Sequence, residues 1–231
     1  PLRNHTPIVD TSTKTSYFID MTTNSKKLLY ISVSPTGEYS TSRQVAAEFL
    51  ATWKLTNPDS QVLERDLSKE SIPHLDAEAI FANYTPVESQ SPSMASKHHY
   101  RMDLINEILS VDEILISAPL WNWSIPSVLK SYIDQIVVTG VLDNGMPGLK
   151  DKKVTFVVAQ GGSYKEGTPK AGWDFATGYL ELVAKALGAT DVETILAEFT
   201  LAGVAPGLDF LKDAKAKSLE AALSAARKRA A

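Results

Sequence analysis

Residues 154–159 read VTFVVA, a continuous apolar run that leads into the paired glycines Gly161 and Gly162. Two other stretches have the same character: residues 28–33 read LLYISV, and residues 113–118 read EILISA. Unbroken apolar runs of this length are typical of strands that are buried on both faces, as in a parallel sheet covered by helices. We therefore predict that three parallel strands form the centre of a sheet.

Two weaker strand candidates, residues 60–67 and 189–197, raise the expected number of strands to five. The segments between the strands have apolar residues at helical spacing. The predicted helices cover residues 46–53, 125–136, 175–187 and 208–229. Ser124 is the expected N-cap of the second of these helices, with Pro126 near its first position. The alternation predicts an α/β fold with a doubly wound, five-stranded parallel sheet and helices on both faces.

The length of 231 residues suits one domain, which we place over residues 26–231. Residues 1–25 show no periodicity and are interpreted as a leader or tag that we expect to be disordered, with Met21 as the native start. A long segment rich in Pro and Ser, residues 68–96, is interpreted as an excursion inside the domain rather than a boundary.

The composition excludes several classes of function. The chain has no cysteine, which rules out disulfides, thiolate nucleophiles and cysteine-ligated metals and fits a cytoplasmic protein. A net charge of −4 disfavours nucleic acid as a partner. No apolar run approaches the roughly 18 residues that a membrane span needs. A GxSxG elbow is absent, so no catalytic side chain is predicted. The adjacent His98 and His99 cannot both face one metal from a helix, and His5 and His74 lack a carboxylate partner at ligand spacing, so we predict no metal site.

Loops follow each of the three strongest strands, at the sheet edge where open parallel sheets bind ligands. The first loop, residues 34–42, has no dinucleotide or triphosphate motif but is rich in hydroxyls near a helix start. Its candidate residues are Ser34, Ser40, Thr41 and Ser42. Hydroxyls and free amides at a helix N-terminus suit a single phosphate group. Plain N-capping by Ser40 or Ser42 explains the same pattern equally well.

The second loop combines two large aromatic side chains with one amide at the end of a strand. Its candidate residues are Leu120, Trp121, Asn122 and Trp123. Flat aromatics and an amide can line a planar ring and hydrogen-bond its edge. Core aromatics beside an Asn turn are the alternative, and the loop taken alone favours that alternative.

The third loop begins at the end of the 154–159 strand and contains Ala159, Gln160, Gly161 and Gly162. Paired glycines let backbone amides approach a ligand closely, although an ordinary turn is the simpler explanation for this loop alone. The three loops together offer phosphate donors, a flat wall and exposed backbone donors on one sheet edge. That combination predicts a site for a phosphorylated planar heterocycle.

Motifs in these loops carry a resemblance to a known family. The motifs are the SxS…YSxS pattern at Ser32, Ser34, Tyr39, Ser40 and Ser42, the aromatic-Asn-aromatic pattern at Ala118, Pro119, Trp121, Asn122 and Trp123, and the glycine pair. From about Lys26 to the C-terminal helix, the chain resembles the FMN-dependent NADH:quinone and azo-compound reductases, a flavodoxin-like family.

The resemblance implies FMN as cofactor and a homodimer with each flavin near the subunit interface. It implies that the first loop holds the phosphate, the second contacts the isoalloxazine ring, and the third contacts the pyrimidine edge. The chain departs from the family pattern at Ala159 and Gln160, where Ser and Arg are expected, and in a shorter loop between Gly140 and Gly148 that lacks an aromatic. These departures bear on substrate range and nicotinamide preference more than on FMN binding.

The expected function is therefore hydride transfer from NAD(P)H to a small aromatic acceptor such as a quinone or azo compound, in a ping-pong mechanism. The alternative from another class is a non-catalytic flavodoxin-type electron carrier or an FMN-binding regulatory module. A third possibility is an α/β protein that has lost its flavin.

Overall fold

The computed structural model describes residues 25–138 and 148–231. In this part of the chain, strands β1 to β5 form one parallel sheet in the order β2-β1-β3-β4-β5. The strands are β1 (Lys27–Ser32), β2 (Gln61–Asp66), β3 (Glu113–Pro119), β4 (Lys153–Ala159) and β5 (Asp191–Ala197). The five-stranded parallel sheet predicted from the sequence is confirmed.

Helices lie between successive strands, and the last helix follows β5. They are α1 (Thr41–Thr56), α2 (Ala77–Ala82), α3 (Pro92–Leu109), α4 (Ser127–Ile136), α5 (Thr177–Ala186) and α6 (Lys212–Ala230). A short 3-10 turn, Asp209–Leu211, leads into α6, so the last helix starts a few residues later than the pattern predicts.

Alternate residues of β1 pack on opposite faces of the sheet, as the two-residue period of a strand requires. Leu28 and Tyr30 join a cluster with Phe49 of α1 and small residues of α6. Leu29 and Ile31 join the larger cluster, which holds the apolar faces of α3, α4 and α5. The sheet therefore lies between two helical layers, as the doubly wound prediction requires.

The segment over 68–96 is more ordered than an excursion loop, because it contains α2 and the start of α3. Arg101 of α3 links α2 to α4: its buried guanidinium donates to the carbonyl oxygens of Ala79 in α2 (3.1 Å) and Gln135 in α4 (3.0 Å). The Gln135 amide in turn donates to the carbonyl oxygen of Pro73 at 2.7 Å. Buried donors thus satisfy backbone acceptors across this segment.

The N-cap predicted for α4 is wrong. The helix begins at Ser127 with Pro126 in the cap position and no side-chain cap. Ser124 lies one turn earlier and pairs through its backbone with Trp121, which removes it from the helix start. Residues 1–24, which include nearly all of the predicted leader and Met21, lie outside the described part of the chain. So do residues 139–147, which include the shortened loop before Gly148.

Candidate functional site

The loops after β1, β3 and β4 lie at one edge of the sheet, because parallel strands all end on the same side. The strand order reverses direction between β1 and β3. Such a switch point opens a crevice beyond the strand ends, and ligands of open α/β sheets bind there. The three loops named from the sequence are therefore brought to the same edge.

Serine hydroxyls of the first loop are turned inward and hydrogen-bonded. Ser40 Oγ and Ser42 Oγ are 3.1 Å apart, and Ser34 Oγ lies 3.0 Å from Thr36 Oγ1. Ser40 also caps α1, since its Oγ accepts a hydrogen bond from the backbone nitrogen of Arg43 at 3.3 Å. Ser40 thus caps the helix and also belongs to a cluster of hydroxyls, so the two interpretations of this loop do not exclude each other.

Arg43 is a functional candidate that the sequence interpretation missed. Its guanidinium donates to the carbonyl oxygen of Ser34 at 2.9 and 2.7 Å, and to the Asp66 carboxylate at 2.7 Å. This fork fixes the start of the first loop against the end of β2. Burial raises the pKa of Asp66, but hydrogen bonds from Arg43 and Ser68 lower it by more, so its pKa lies well below the ordinary value.

The environment of this loop fits a phosphate group. The N-terminus of a helix carries partial positive charge and amides without helical partners. The first turn of α1, Thr41 onward, contains no acidic residue that would repel an anion. Thr41 is half-buried, whereas Ser34, Ser40 and Ser42 are buried. To bind a phosphate, the serine hydroxyls would give up their hydrogen bonds within the loop and donate to the phosphate oxygens instead.

The second loop is a tight reverse turn with two residues in the left-handed region. Trp121 and Ser124 exchange backbone hydrogen bonds of 2.9 and 3.0 Å. Between them, Asn122 has φ 49° and Trp123 has φ 66°. Asn tolerates this conformation, but for a bulky residue it is a true outlier that costs about 1–2 kcal/mol. Strain of this kind is concentrated at functional sites.

Both tryptophans of this turn face outward. Trp121 is 44% exposed and Trp123 is 42% exposed, so they are not core aromatics, and that alternative is wrong. Leu120 is buried instead, and its backbone nitrogen donates to the carbonyl oxygen of Ala159 at 2.8 Å. Leu120 therefore anchors the turn to the end of β4, while the two indoles form an exposed aromatic wall.

A third exposed tryptophan, Trp173, joins this wall from the loop between β4 and α5. Its ring packs edge-to-face against Trp123, with centroids 5.5 Å apart and an interplanar angle of 82°. The backbone nitrogen of Phe175 donates to the carbonyl oxygen of Trp123 at 2.9 Å. The signal in the sequence is the aromatic pair in residues 172–175 (GWDF), at the start of the helix predicted over 175–187.

The third loop offers backbone groups rather than side chains. Gln160 is only 1% exposed, and its amide nitrogen donates to Asp174 Oδ2 at 2.6 Å. Within the described residues, the amide nitrogens of Gly161 and Gly162 donate no hydrogen bond. A Cβ at Gly161 would lie 2.8 Å from Leu201, whereas a Cβ at Gly162 would meet nothing within 4 Å. A side chain at Gly161 would therefore have to displace the half-exposed Leu201 side chain, whereas Gly162 leaves its backbone accessible.

In residues 25–138 and 148–231, no group of three or more His, Asp or Glu side chains is placed to hold a metal ion. The helices of that part of the chain include none with the length and apolar character of a membrane span.

Comparisons with known proteins agree with the fold. The family model described as "Flavodoxin-like fold" matches residues 26–229. The FMN-dependent NADH:quinone oxidoreductase of Frankia casuarinae is 43% identical over 206 residues, which cover 88% of this chain and 98% of the relative.

Solved structures give the same result. An azoreductase from Bacillus anthracis superposes with a TM-score of 0.78 at 28% identity, covering 89% of this chain and 98% of that chain. At 21% identity, the fold is also shared with an FMN-dependent NADH-azoreductase of the same species in complex with FMN, with a TM-score of 0.75 and coverage of 89% and 97%. The resemblance seen in the sequence is confirmed, and the chain belongs to the flavodoxin-like family that contains the FMN-dependent NADH:quinone oxidoreductases.

Proposed function

We propose that this protein is an FMN-dependent oxidoreductase that moves hydride from NAD(P)H to quinones, azo compounds or similar aromatic acceptors. One observation carries the proposal: a hydroxyl-rich helix start, an exposed tryptophan turn and a glycine pair with free amides follow the neighbouring strands β1, β3 and β4, at the sheet edge that contains the switch point. The names of the relatives support an enzyme rather than the carrier or regulatory module considered as the alternative.

The first loop would hold the phosphate of FMN. The proposed ligands are the hydroxyls of Ser34, Ser40, Thr41 and Ser42 together with the first amides of α1. Arg43 would not touch the phosphate in this arrangement, because its guanidinium is engaged by the Ser34 carbonyl and Asp66. Arg43 instead keeps the loop in place, so that the hydroxyls and amides converge before the ligand arrives.

The second and third loops would bind the ring. Leu120, Trp121, Asn122 and Trp123 form the proposed wall, and the main chain over Ala159, Gln160, Gly161 and Gly162 forms the proposed donor edge. Bound FMN supplies the hydride chemistry, for which no acidic or basic side chain is required. The protein orients the ring and narrows the opening through which NAD(P)H and the acceptor enter.

A homodimer is part of this proposal, together with a cytoplasmic location where NAD(P)H is supplied. The exposed indoles of Trp121, Trp123 and Trp173 support a subunit contact near the site, since Trp is enriched at interfaces. Light scattering at micromolar concentration should report twice the chain mass of 25.2 kDa, and a fully active monomer would contradict the dimer.

The test of the function is spectroscopic. Purified protein is loaded with FMN, and binding is measured through quenching of flavin fluorescence. Under nitrogen, NADH should bleach the oxidised-flavin absorbance and a quinone should restore it. Protein that binds FMN tightly but is neither bleached by NADH nor reoxidised by quinone would be a carrier or a regulatory module.

The phosphate assignment is tested with Ser40→Ala. Loss of one charge-assisted hydrogen bond, worth about 1.5–3 kcal/mol, should weaken FMN binding by at least tenfold. Ser110→Ala is the matched control, because Ser110 also bonds locally, to the Glu107 carbonyl at 2.8 Å, but at the end of α3, before β3 begins. Equal FMN affinity in both variants would refute the assignment.

A further inference from the structure

A cavity of about 380 Å³ lies between the loop after β4 and the loop after β5. Its apolar walls are Phe199, Leu201, Leu208, Phe210 and Leu211, and it also borders Gly161 and Gly162. Its volume is in the range of small-molecule sites, which are typically about 300–1,000 Å³. The cavity therefore adjoins the sheet edge at which we place the flavin ring. Of the three loops named from the sequence, it shares only the glycine pair.

Backbone bonds build this cavity. The nitrogens of Phe199 and Leu201 each donate at 3.3 Å, to the carbonyl oxygens of Gly162 and Gly161 respectively. Phe199 has φ 60°, a strained value for an aromatic residue, and this turns the chain away from the sheet. These bonds join the two loops where they leave the sheet, and the cavity lies between the parts that follow.

Apolar side chains around this space stay in contact with water. Phe210 is 79% exposed, and Leu201 is about half exposed. Exposed apolar side chains grouped around a concave surface are typical of a binding groove rather than of an ordinary surface. The proximity of the glycine pair suggests a ligand that reaches the flavin edge from this side.

Positive charge lies at the rim of the cavity. Lys170 lines it, and its ammonium group lies 5.9 Å from the centroid of the Trp173 ring. Among the described residues, Lys170 has no carboxylate within 4.0 Å. Two acidic residues that follow β5 are paired with other lysines: Glu198 with Lys165, and Asp209 with Lys212.

We infer that this cavity binds the apolar part of an aromatic acceptor that carries an anionic substituent, a sulfonate or carboxylate, with the anion beside Lys170. The inference rests on the proposed function, because the glycine pair shared by the cavity and the flavin edge is what brings such an acceptor near the reacting ring. Phe210 and Lys170 are specificity-determining residues: the first recognises the apolar body and the second recognises the charge.

Binding is tested with two aromatic probes that are not acceptors, 2-naphthalenesulfonate and neutral 2-naphthol, titrated into the FMN-loaded protein by calorimetry. Phe210→Ala should weaken both probes by about tenfold, since apolar contact is lost whatever the charge. Lys170→Gln should weaken only the sulfonate, by about two- to fivefold, the size expected for an exposed ion pair.

Two controls match these changes in type. Phe81→Ala removes an exposed phenyl group on α2, and Lys54→Gln removes an exposed ammonium group at the end of α1. Both controls should bind the probes as the unmodified protein does. If Phe210→Ala and Lys170→Gln behave like their controls, the cavity is not the binding site.

Turnover extends the test to the acceptor itself. With 1,2-naphthoquinone-4-sulfonate, Lys170→Gln should lower kcat/KM by about two- to fivefold, while kcat/KM with 1,2-naphthoquinone stays unchanged. Equal losses for both quinones would overturn the role of Lys170 in recognising charge.

Different results would refute the cavity proposal and the proposed function. A protein that binds no FMN, or is not reduced by NADH, refutes the function, whereas the naphthalene probes can still be titrated into it to test the cavity. If FMN loading abolishes probe binding, the cavity belongs to the flavin and the inference is wrong.

Discussion

The side-chain amide of Gln160 donates a 2.6 Å hydrogen bond to Asp174, across the start of the glycine loop. The other carboxylate oxygen of Asp174 accepts from the backbone nitrogens of Ala176 and Thr177, both at 2.9 Å. One carboxylate therefore links Gln160, at the start of the glycine loop, to the backbone at the start of α5. This link joins the buried amide of Gln160 to the half-buried carboxylate of Asp174, at the start of the loop whose backbone donors are proposed for the flavin.

Breaking this link should affect stability and FMN binding together. In Gln160→Leu, Asp174 keeps its hydrogen bonds to the start of α5 but loses the donor from Gln160, which should lower the free energy of unfolding by about 1–3 kcal/mol. FMN affinity should fall as well, because the glycine loop is no longer fixed. Urea unfolding and fluorescence quenching measure the two effects.

Gln90→Leu is the control for this change. The Gln90 amide donates to the carbonyl oxygens of Ala82 (2.9 Å) and Thr85 (3.0 Å), in the segment before α3. Its loss should destabilise the protein without changing FMN affinity. If Gln160→Leu is destabilised yet binds FMN normally, the glycine loop does not contact the ring.

The Arg43–Asp66 pair should make stability depend on pH. Burial raises the pKa of Asp66, but hydrogen bonds from Arg43 and Ser68 outweigh it, so the folded pKa lies well below the ordinary 3.8. A depressed pKa stabilises the fold above the unfolded pKa, and this stability is lost as pH falls from about 4 toward the folded pKa. Asp66→Asn should therefore be less stable than the unmodified protein by on the order of 2 kcal/mol at pH 7.

The difference between Asp66→Asn and the unmodified protein should shrink steadily below pH 4, and urea unfolding at several pH values measures it. Asp134→Asn is the control. Asp134 pairs with Lys130 on a more exposed part of α4, where an ion pair contributes little. A difference for Asp66→Asn that persists unchanged into strong acid would show that the ion pair is not its source.

The left-handed backbone of Trp123 should lower the stability of the fold, whereas its indole should contribute to FMN binding, and two substitutions can distinguish these effects. Trp123→Gly relieves the left-handed conformation, whereas Trp123→Ala removes the same indole and keeps the strain. The Gly variant should be more stable than the Ala variant by about 1 kcal/mol in thermal unfolding. Both should bind FMN more weakly than the unmodified protein. Equal stability would mean that the turn relaxes without glycine.

The sheet could be predicted from the sequence because its central strands are buried on both faces. The signal was weaker for β2 and β5, since both are edge strands with partly exposed residues. Ser124 was misplaced because the Trp121–Ser124 backbone pairing takes it out of the helix start, and a cap pattern contains no information about such a pairing.

The positions of the site loops could be predicted from the strand ends. The side-chain contacts that join one loop to another could not. Arg43, Asp174 and Trp173 act through partners that lie 9 to 50 residues away in the chain, such as Ser34, Gln160 and Trp123. Patterns of period two or 3.6 report which face a residue occupies, not which distant residue it contacts. These side chains are therefore visible only in the folded structure.

The geometry of the edge also predicts the order of substrate binding. The Trp121–Ser124 turn and the glycine pair would cover one face and one edge of the flavin, which leaves the opposite face open. Hydride transfer requires donor and acceptor atoms about 3–3.5 Å apart, so nicotinamide and the aromatic acceptor must both stack on that open face.

Two flat rings cannot stack on the same face at once, so the oxidised nicotinamide must leave before the acceptor enters. Double-reciprocal plots of rate against NADH, at several fixed quinone concentrations, should therefore give parallel lines. The cavity beside the glycine pair does not change this expectation, because it holds the substituent of the acceptor while the reacting ring still needs the open face. Intersecting lines, or a complex with both ligands bound at once, would show that the two substrates have separate sites.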